Sequence, residues 1–250
     1  MGGGSVRIGT TGWHYRHWLG TFYPPELSPD AMLAYYGKHF HTVEVNYTFY
    51  HLPDAAAVAA WRSAVEEDFT FAVKASRYLT HMKKLKDPQQ PMTLLCERLA
   101  PLGHTLGPIL FQLPPRWHRN TERLAALLAD LPPGRRYAFE FRDPSWFATE
   151  VYALLAEHGA ALCWYDRFGE RTALVRTADF IYLRMHGPAG AMERPYGDRE
   201  LAAWASAIGD WSARGVDVYV YFNNDPFGHA PHDAMRLMAM LETARAEVGQ

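Results

Sequence analysis

Ala138-Phe139-Glu140-Phe141-Arg142 alternates between apolar and charged residues from Phe139 onward. A strand points successive side chains to opposite faces, so Phe139 and Phe141 share one face while Glu140 and Arg142 share the other. Seven more runs of this kind recur along the chain. They are Val6-Arg7-Ile8-Gly9-Thr10, Thr42-Val43-Glu44-Val45-Asn46, Thr70-Phe71-Ala72-Val73-Lys74, Ile109-Leu110-Phe111-Gln112, Ala161-Leu162-Cys163-Trp164-Tyr165-Asp166, Ile181-Tyr182-Leu183-Arg184-Met185-His186 and Val218-Tyr219-Val220-Tyr221-Phe222-Asn223. Each ends in a polar or charged residue. Glu44 and Asn46 oppose Val43 and Val45; Lys74 and Ser76 oppose Phe71 and Val73; Arg184 and His186 oppose Leu183 and Met185.

Helical stretches separate the runs, and a repeated strand-helix order calls for a parallel sheet with helices packed on it. In an open doubly wound sheet helices cover both faces, and both parities then read apolar. In a closed eight-stranded barrel only the outer face meets helices, and the inner face can carry polar groups at its C-terminal rim. The one-sided charge predicts an α/β fold of the (β/α)8 TIM type. A length of 250 residues suits such a barrel, and a single domain over residues 6–246 is expected, preceded by a short, flexible, glycine-rich segment at 1–5.

Helix signals fall between the strands. Ser28-Pro29-Asp30 supplies a cap, a proline at the first helical position and an early acid ahead of Ala31 to Tyr36. Asp54 can cap Ala55 to Val65, and Asn120 or Thr121 can cap Glu122 to Ala129. Ala148 to Glu157, Arg199 to Ala213 and Pro231 to Ala246 read as helices. Arg167 to Ala178 is too short for a full unit, so the sixth helix is expected to be short or missing.

The composition, 48% hydrophobic and 21% charged with a net charge of -2, is that of a globular protein without a global basic field. Cys96 and Cys163 stand far apart in apolar segments and read as free thiols in a reducing compartment. The start has neither the basic nor the apolar region of a secretory leader, and no apolar stretch reaches membrane-spanning length. A cytoplasmic protein without membrane partners is expected. Glycine-rich phosphate loops, a Gly-x-Ser-x-Gly elbow and a His-Glu-x-x-His helix are all absent, which removes several common enzyme classes.

The strand ends also carry longer motifs. Ile8-Gly9-Thr10-Thr11-Gly12-Trp13-His14-Tyr15, Val43-Glu44-Val45-Asn46-Tyr47-Thr48-Phe49-Tyr50, Lys74-Ala75-Ser76-Arg77-Tyr78-Leu79-Thr80-His81, Leu110-Phe111-Gln112-Leu113-Pro114-Pro115, Glu140-Phe141-Arg142-Asp143-Pro144-Ser145-Trp146, Arg184-Met185-His186-Gly187 and Tyr221-Phe222-Asn223-Asn224-Asp225 closely resemble the signatures of the domain of unknown function 72 family. The resemblance runs from about residue 6 to about residue 242. It implies a TIM-type barrel and leaves the chemistry open. Tyr47 stands where many relatives have a small or polar residue, and Asp143 where histidine is frequent.

In this fold, function resides at the C-terminal rim. There the inward parity is expected to gather Glu44, Glu140 and Asp166 with Lys74, Arg142 and Arg184. Isolated charges in a barrel are costly, so these six must be paired, hydrated or bound to a ligand. A structural salt-bridge network is the plain alternative, although an apolar filling is usually at least as stable. The functional reading is acid/base chemistry of a hydrolase or isomerase type on a small polar or anionic molecule: a phosphate, a carboxylate or a sugar. Lys74, Arg142 and Arg184 would fix the anion, Glu140 or Glu44 would act as base, and His186 as acid or proton shuttle. Glu44, Lys74, Glu140, Asp166 and His186 are thus the candidate catalytic residues. Trp13, Tyr15, Tyr50 and Trp146 (with Tyr47 and Tyr196) could stack on a ligand, while Asn46, Thr80, His81, Gln112, Asn223 and Asn224 could hydrogen-bond it. Whether Asn223 or Asn224 faces inward is left open by the pattern.

No cofactor is required by this reading. A divalent metal is a competing one, since Glu44, His81, Glu140, Asp166 and His186 are N/O ligand types, but the three cations would compete for the carboxylates. Arg116, His118, Arg119, Arg135 and Arg136 are the basic clusters; they read first as solvated surface, and second as a footprint for nucleic acid whose phosphodiester the rim would cleave or repair. A non-catalytic ligand-binding barrel is the third class.

Overall fold

A computed structural model of the chain describes residues 3–190 and 194–248. Its strands are β1 (Val6–Thr10), β2 (Thr42–Val45), β3 (Thr70–Lys74), β4 (Leu106–Gln112), β5 (Tyr137–Glu140), β6 (Ala161–Arg167), β7 (Glu170–Arg171), β8 (Phe180–Gly187) and β9 (Asp217–Phe222). The strand order is β1-β9-β8-β6-β5-β4-β3-β2, with the two-residue β7 folded back antiparallel on β6. Eight parallel strands in this order, joined by helical crossovers except between β6 and β8, give the α/β fold class of the (β/α)8 TIM type.

The helices are α1 (Met32–Tyr36), α2 (Tyr47–Tyr50), α3 (Ala55–Ser63), α4 (Gln89–Leu99), α5 (Thr121–Asp130), α6 (Thr149–Glu157), α7 (Asp198–Ala213) and α8 (His229–Val248). Asp54 caps α3 by accepting from Ala57 N at 2.7 Å, and Asn120 caps α5 by accepting from Arg123 N at 2.8 Å. Ser28 makes no such bond, and Pro29–Ala31 form a separate 3-10 turn before α1. Between β6 and β8 there is no helix: β7 and irregular chain take its place. Of segment 1–5, residues 1 and 2 lie outside the described residues, whereas Gly4 N donates to Ser212 O and Ser5 N to Asp217 Oδ1, so those two are fixed rather than free.

The chain divides into two compact units: one of Met1–Val43, Trp164–Leu174 and Phe180–Gln250, the other of Glu44–Cys163 and Val175–Asp179. In the second unit, hereafter the central unit, Gln112 and Glu140 are register partners, as are Phe111 and Phe139. The rings of Phe111 and Phe139 stack at 5.0 Å. The polar and apolar parities therefore stay apart across β4 and β5.

In the first unit, hereafter the terminal unit, β1, β9 and β8 run side by side in continuous register. Arg7, Tyr219 and Tyr182 form one row, and Gly9, Tyr221 and Arg184 the next. Gly9 is required by close approach, because a Cβ there would lie 2.2 Å from Thr42 O. The ladder continues past the strand ends through Thr11 N to Phe222 O and Asn223 N to Met185 O. Thr11, Asn223 and His186 consequently make a third row.

Candidate functional site

The central unit holds most of the candidate residues. Among its described residues the buried charged side chains are Glu44, Lys74 and Glu140. Each is the last or next-to-last residue of its strand. Glu140 is fully buried and forms an ion pair with Arg142, whose side chain keeps 13% exposure. The Cys163 thiol donates to the other carboxylate oxygen over 3.8 Å. Cys163 thus stands beside the candidate base. Sequence reading missed this placement because a lone cysteine in an apolar run looks like ordinary core.

Lys74 reaches over the Phe49 ring, with Nζ 4.1 Å from its centroid, so the ammonium is held by the ring's negative face. The edge of His81 meets the same ring at 5.0 Å. Burial, followed by the charges of Lys74 and Arg77, lowers the His81 pKa to about 4, leaving the imidazole neutral at pH 7. Its tautomer follows from Thr80. That hydroxyl has one proton and donates it to Ser76 O at 2.9 Å, so at its 2.9 Å contact with His81 Nδ1 it must accept. The proton sits on Nδ1, and Nε2 is left as an acceptor. Thr80 is fully buried, and its observed role is to orient His81.

Asn46 follows Glu44, and its Oδ1 is buried without a hydrogen-bond partner. Gln112 lies beside Glu140 in register. Tyr47 and Tyr50 are exposed, and Tyr50 packs its ring edge-on against Phe49 at 4.9 Å. Trp146 departs from expectation. It is fully buried, stacked on Phe141 at 4.9 Å, and its indole N–H donates to Trp117 O at 2.7 Å. With both face and N–H engaged, it is a core residue and not a stacking platform. Asp143 accepts from Ser145 N and Oγ, bonds that hold its carboxyl below the usual range and shape the following turn.

In the terminal unit, Asp166 departs from the expected inward parity. Its Oδ2 accepts from Trp204 Nε1 of α7 at 3.2 Å and from Arg171 Nε and Nη2 at 3.0 and 2.9 Å. The carboxylate is turned toward α7 because that helix and β7 supply the donors it needs when buried. Its neighbour Trp164 likewise meets Trp211 of α7 at 5.1 Å. Asn224 is also turned away, donating to Asp233 Oδ2 of α8 at 2.8 Å. Register thereby resolves the asparagine pair: Asn223, in the row of Thr11 and His186, is the strand-end candidate.

Asn223 Nδ2 lies 2.8 Å from His186 Nδ1, and the edge of His186 meets Tyr165 at 6.3 Å. Arg184 is buried one row below. Tyr15 donates its hydroxyl to Thr11 O at 2.7 Å, Trp13 is nearly buried, and Tyr196 is enclosed with its oxygen accepting from Gly187 N. Tyr196 is therefore also core. Thr11 had not been singled out, although counting alternate residues from Arg7 through Gly9 reaches it.

Among the described residues, no group of three or more His, Cys, Asp or Glu side chains is arranged to hold a metal ion, and the turn of Asp166 toward α7 removes one donor from the proposed set. No helix among the described residues is long and apolar enough to cross a membrane. In the basic clusters, Arg119 pairs with Glu150 at 3.0 Å and Arg136 with Asp179 at 3.6 Å.

Comparison with known proteins places this geometry in a wider group. Residues 7–250 match the family described as "Protein of unknown function DUF72". A DUF72 family protein from Thermotoga maritima has a similar structure, with a TM-score of 0.85 and 30% identity over 95% of this chain and 99% of the other. The UPF0759 protein YunF of Bacillus subtilis is 26% identical over 95% of each chain. SacUVDE, with a TM-score of 0.62 and 10% identity over 97% of this chain and 99% of the other, is similar in fold alone. With its strand-end motifs and nearly its whole length matched, the chain belongs to the DUF72 family of proteins of unknown function.

Proposed function

We propose that this protein is an enzyme that performs acid/base chemistry on a small, polar, anionic substrate held at the strand ends of the central unit. The observation that carries this reading is the position of the unit's buried charges. Glu44, Lys74 and Glu140 all occupy C-terminal strand ends, the end at which (β/α)8 enzymes assemble their chemistry. Burying charge there is costly, and apolar residues of similar volume would serve stability at least as well.

Lys74 offers a point charge and Arg142 a planar fork to a phosphate or carboxylate. Glu44 or Glu140 takes the substrate proton. His81, neutral and with Nε2 as acceptor, receives a hydrogen bond from a substrate hydroxyl. A thermal-shift screen tests the reading with inorganic phosphate, phosphorylated sugars and small dicarboxylates against the wild type, Lys74→Gln and Arg142→Lys. The expected result is an anion that stabilises the wild type and loses its effect in both variants. If no anion stabilises the wild type, while the two substitutions only lower its melting temperature, the charges are a structural network and the proposal fails.

A further inference from the structure

We infer that Thr11, Asn223 and His186 form a binding subsite for a hydroxyl-bearing, sugar-type ligand group in the terminal unit. The three side chains come from the ends of adjacent parallel strands, in register and on one face. The opposite parity is already engaged. Thr10 Oγ1 bonds Tyr36 Oη and Gly12 O, and Asn224 bonds Asp233. Parallel strands stand roughly 5 Å apart, so the three polar heads span roughly 10 Å, about the reach of one sugar ring and its substituents.

Thr11 supplies the observation that points to a ligand. Its residue is 1% exposed, and its Oγ1 is buried without any hydrogen-bond partner. A buried hydroxyl left in that state costs free energy that folding alone does not recover. A ligand hydroxyl would supply the missing bond.

The chemistry of the row selects the class of ligand. A threonine hydroxyl, an asparagine amide and an imidazole can each donate and accept. An anion would use only their donors, whereas a hydroxyl both donates and accepts and so matches all three. Tyr15, partly exposed and bonded to the Thr11 carbonyl, adds aromatic surface of the sort that packs against sugar C–H groups.

This inference goes beyond the proposed function by adding a subsite within the terminal unit, and rests on the reading of strand ends as a binding face. The test uses the full chain and two probes, D-ribose and inorganic phosphate, followed by NMR of the His186 imidazole and by saturation transfer to the sugar. Ribose is expected to bind in the millimolar range and to shift the His186 signals. Thr11→Val, which keeps the shape and deletes the hydroxyl, should weaken ribose binding roughly tenfold; Thr11→Ser should restore it, and phosphate binding should be unchanged in both. Ribose binding that is equal in wild type and Thr11→Val, or no ribose response of His186, overturns the inference. If phosphate also fails to bind the wild type, the proposed function fails separately.

Discussion

Arg142→Ala isolates the cost of the buried charge at the end of β5. In the wild type Glu140 is fully buried and ion-paired with Arg142, and its second oxygen accepts from the Cys163 thiol. Removing one partner of a buried pair typically costs about 3–5 kcal/mol, because the remaining charge loses compensation. Arg142 retains 13% side-chain exposure, so water can partly re-solvate the site after truncation, and the lower end applies. The expected loss is about 3 kcal/mol. For a chain of this size that corresponds to a fall in Tm of roughly 6–12 °C. Urea unfolding followed by circular dichroism gives the free energy, and calorimetry gives the Tm. Glu140→Gln in the same background supplies the control: with the carboxylate neutralised, loss of the guanidinium should cost less than about 1 kcal/mol, leaving a coupling of about 2 kcal/mol in the double-mutant cycle. An Arg142→Ala protein within about 0.5 kcal/mol of wild type, or a coupling near zero, would refute the argument that this pair offsets a buried charge.

Two further outcomes follow from the same kind of reasoning. Asp166→Asn should lower stability by about 2 kcal/mol, since the new amide N–H faces the donors of Trp204 and Arg171; it should leave binding of any stabilising anion unchanged, and a variant that binds no anion while melting like the wild type would return Asp166 to the candidate site. His81 predicts a pH effect. Its folded pKa of about 4 lies below the ordinary histidine value of 6.5, so between these values the unfolded chain binds a proton that the folded chain does not. Stability must therefore fall as pH drops from 6.5 toward 4. At a half-buried site the contribution is about 1–2 kcal/mol after solvent screening. His81→Gln should flatten that part of the stability profile, and an unchanged profile would count against the neutral imidazole.

Alternation along Ala138–Arg142 and Ile181–His186 was enough to specify strands, a parallel sheet and the (β/α)8 class, because side-chain period is a local property of the backbone. The same rule placed Glu140, Arg142, Arg184 and His186 on the faces where they are found. It failed at Asp166, where the assumption that a strand-end charge avoids the helix side met a helix carrying its own donor, Trp204. It failed at Trp146 for a related reason: Trp117 O satisfies the indole N–H and lets the whole ring be buried. The missing sixth helix, by contrast, was legible from chain length alone.

What the sequence determined by itself was therefore the class of fold and the strand ends that carry charge, since both are written in residue order and periodicity. The tertiary structure decided which polar residues are engaged and by what. Register between β8 and β9 selected Asn223 over Asn224, Thr80 fixed the proton on His81, and the continued β1 ladder brought Thr11 into line with Asn223 and His186. Those outcomes depend on donors and acceptors contributed by segments distant in sequence, and a hydrogen-bond partner supplied from another element leaves no mark on the periodicity of the strand it serves.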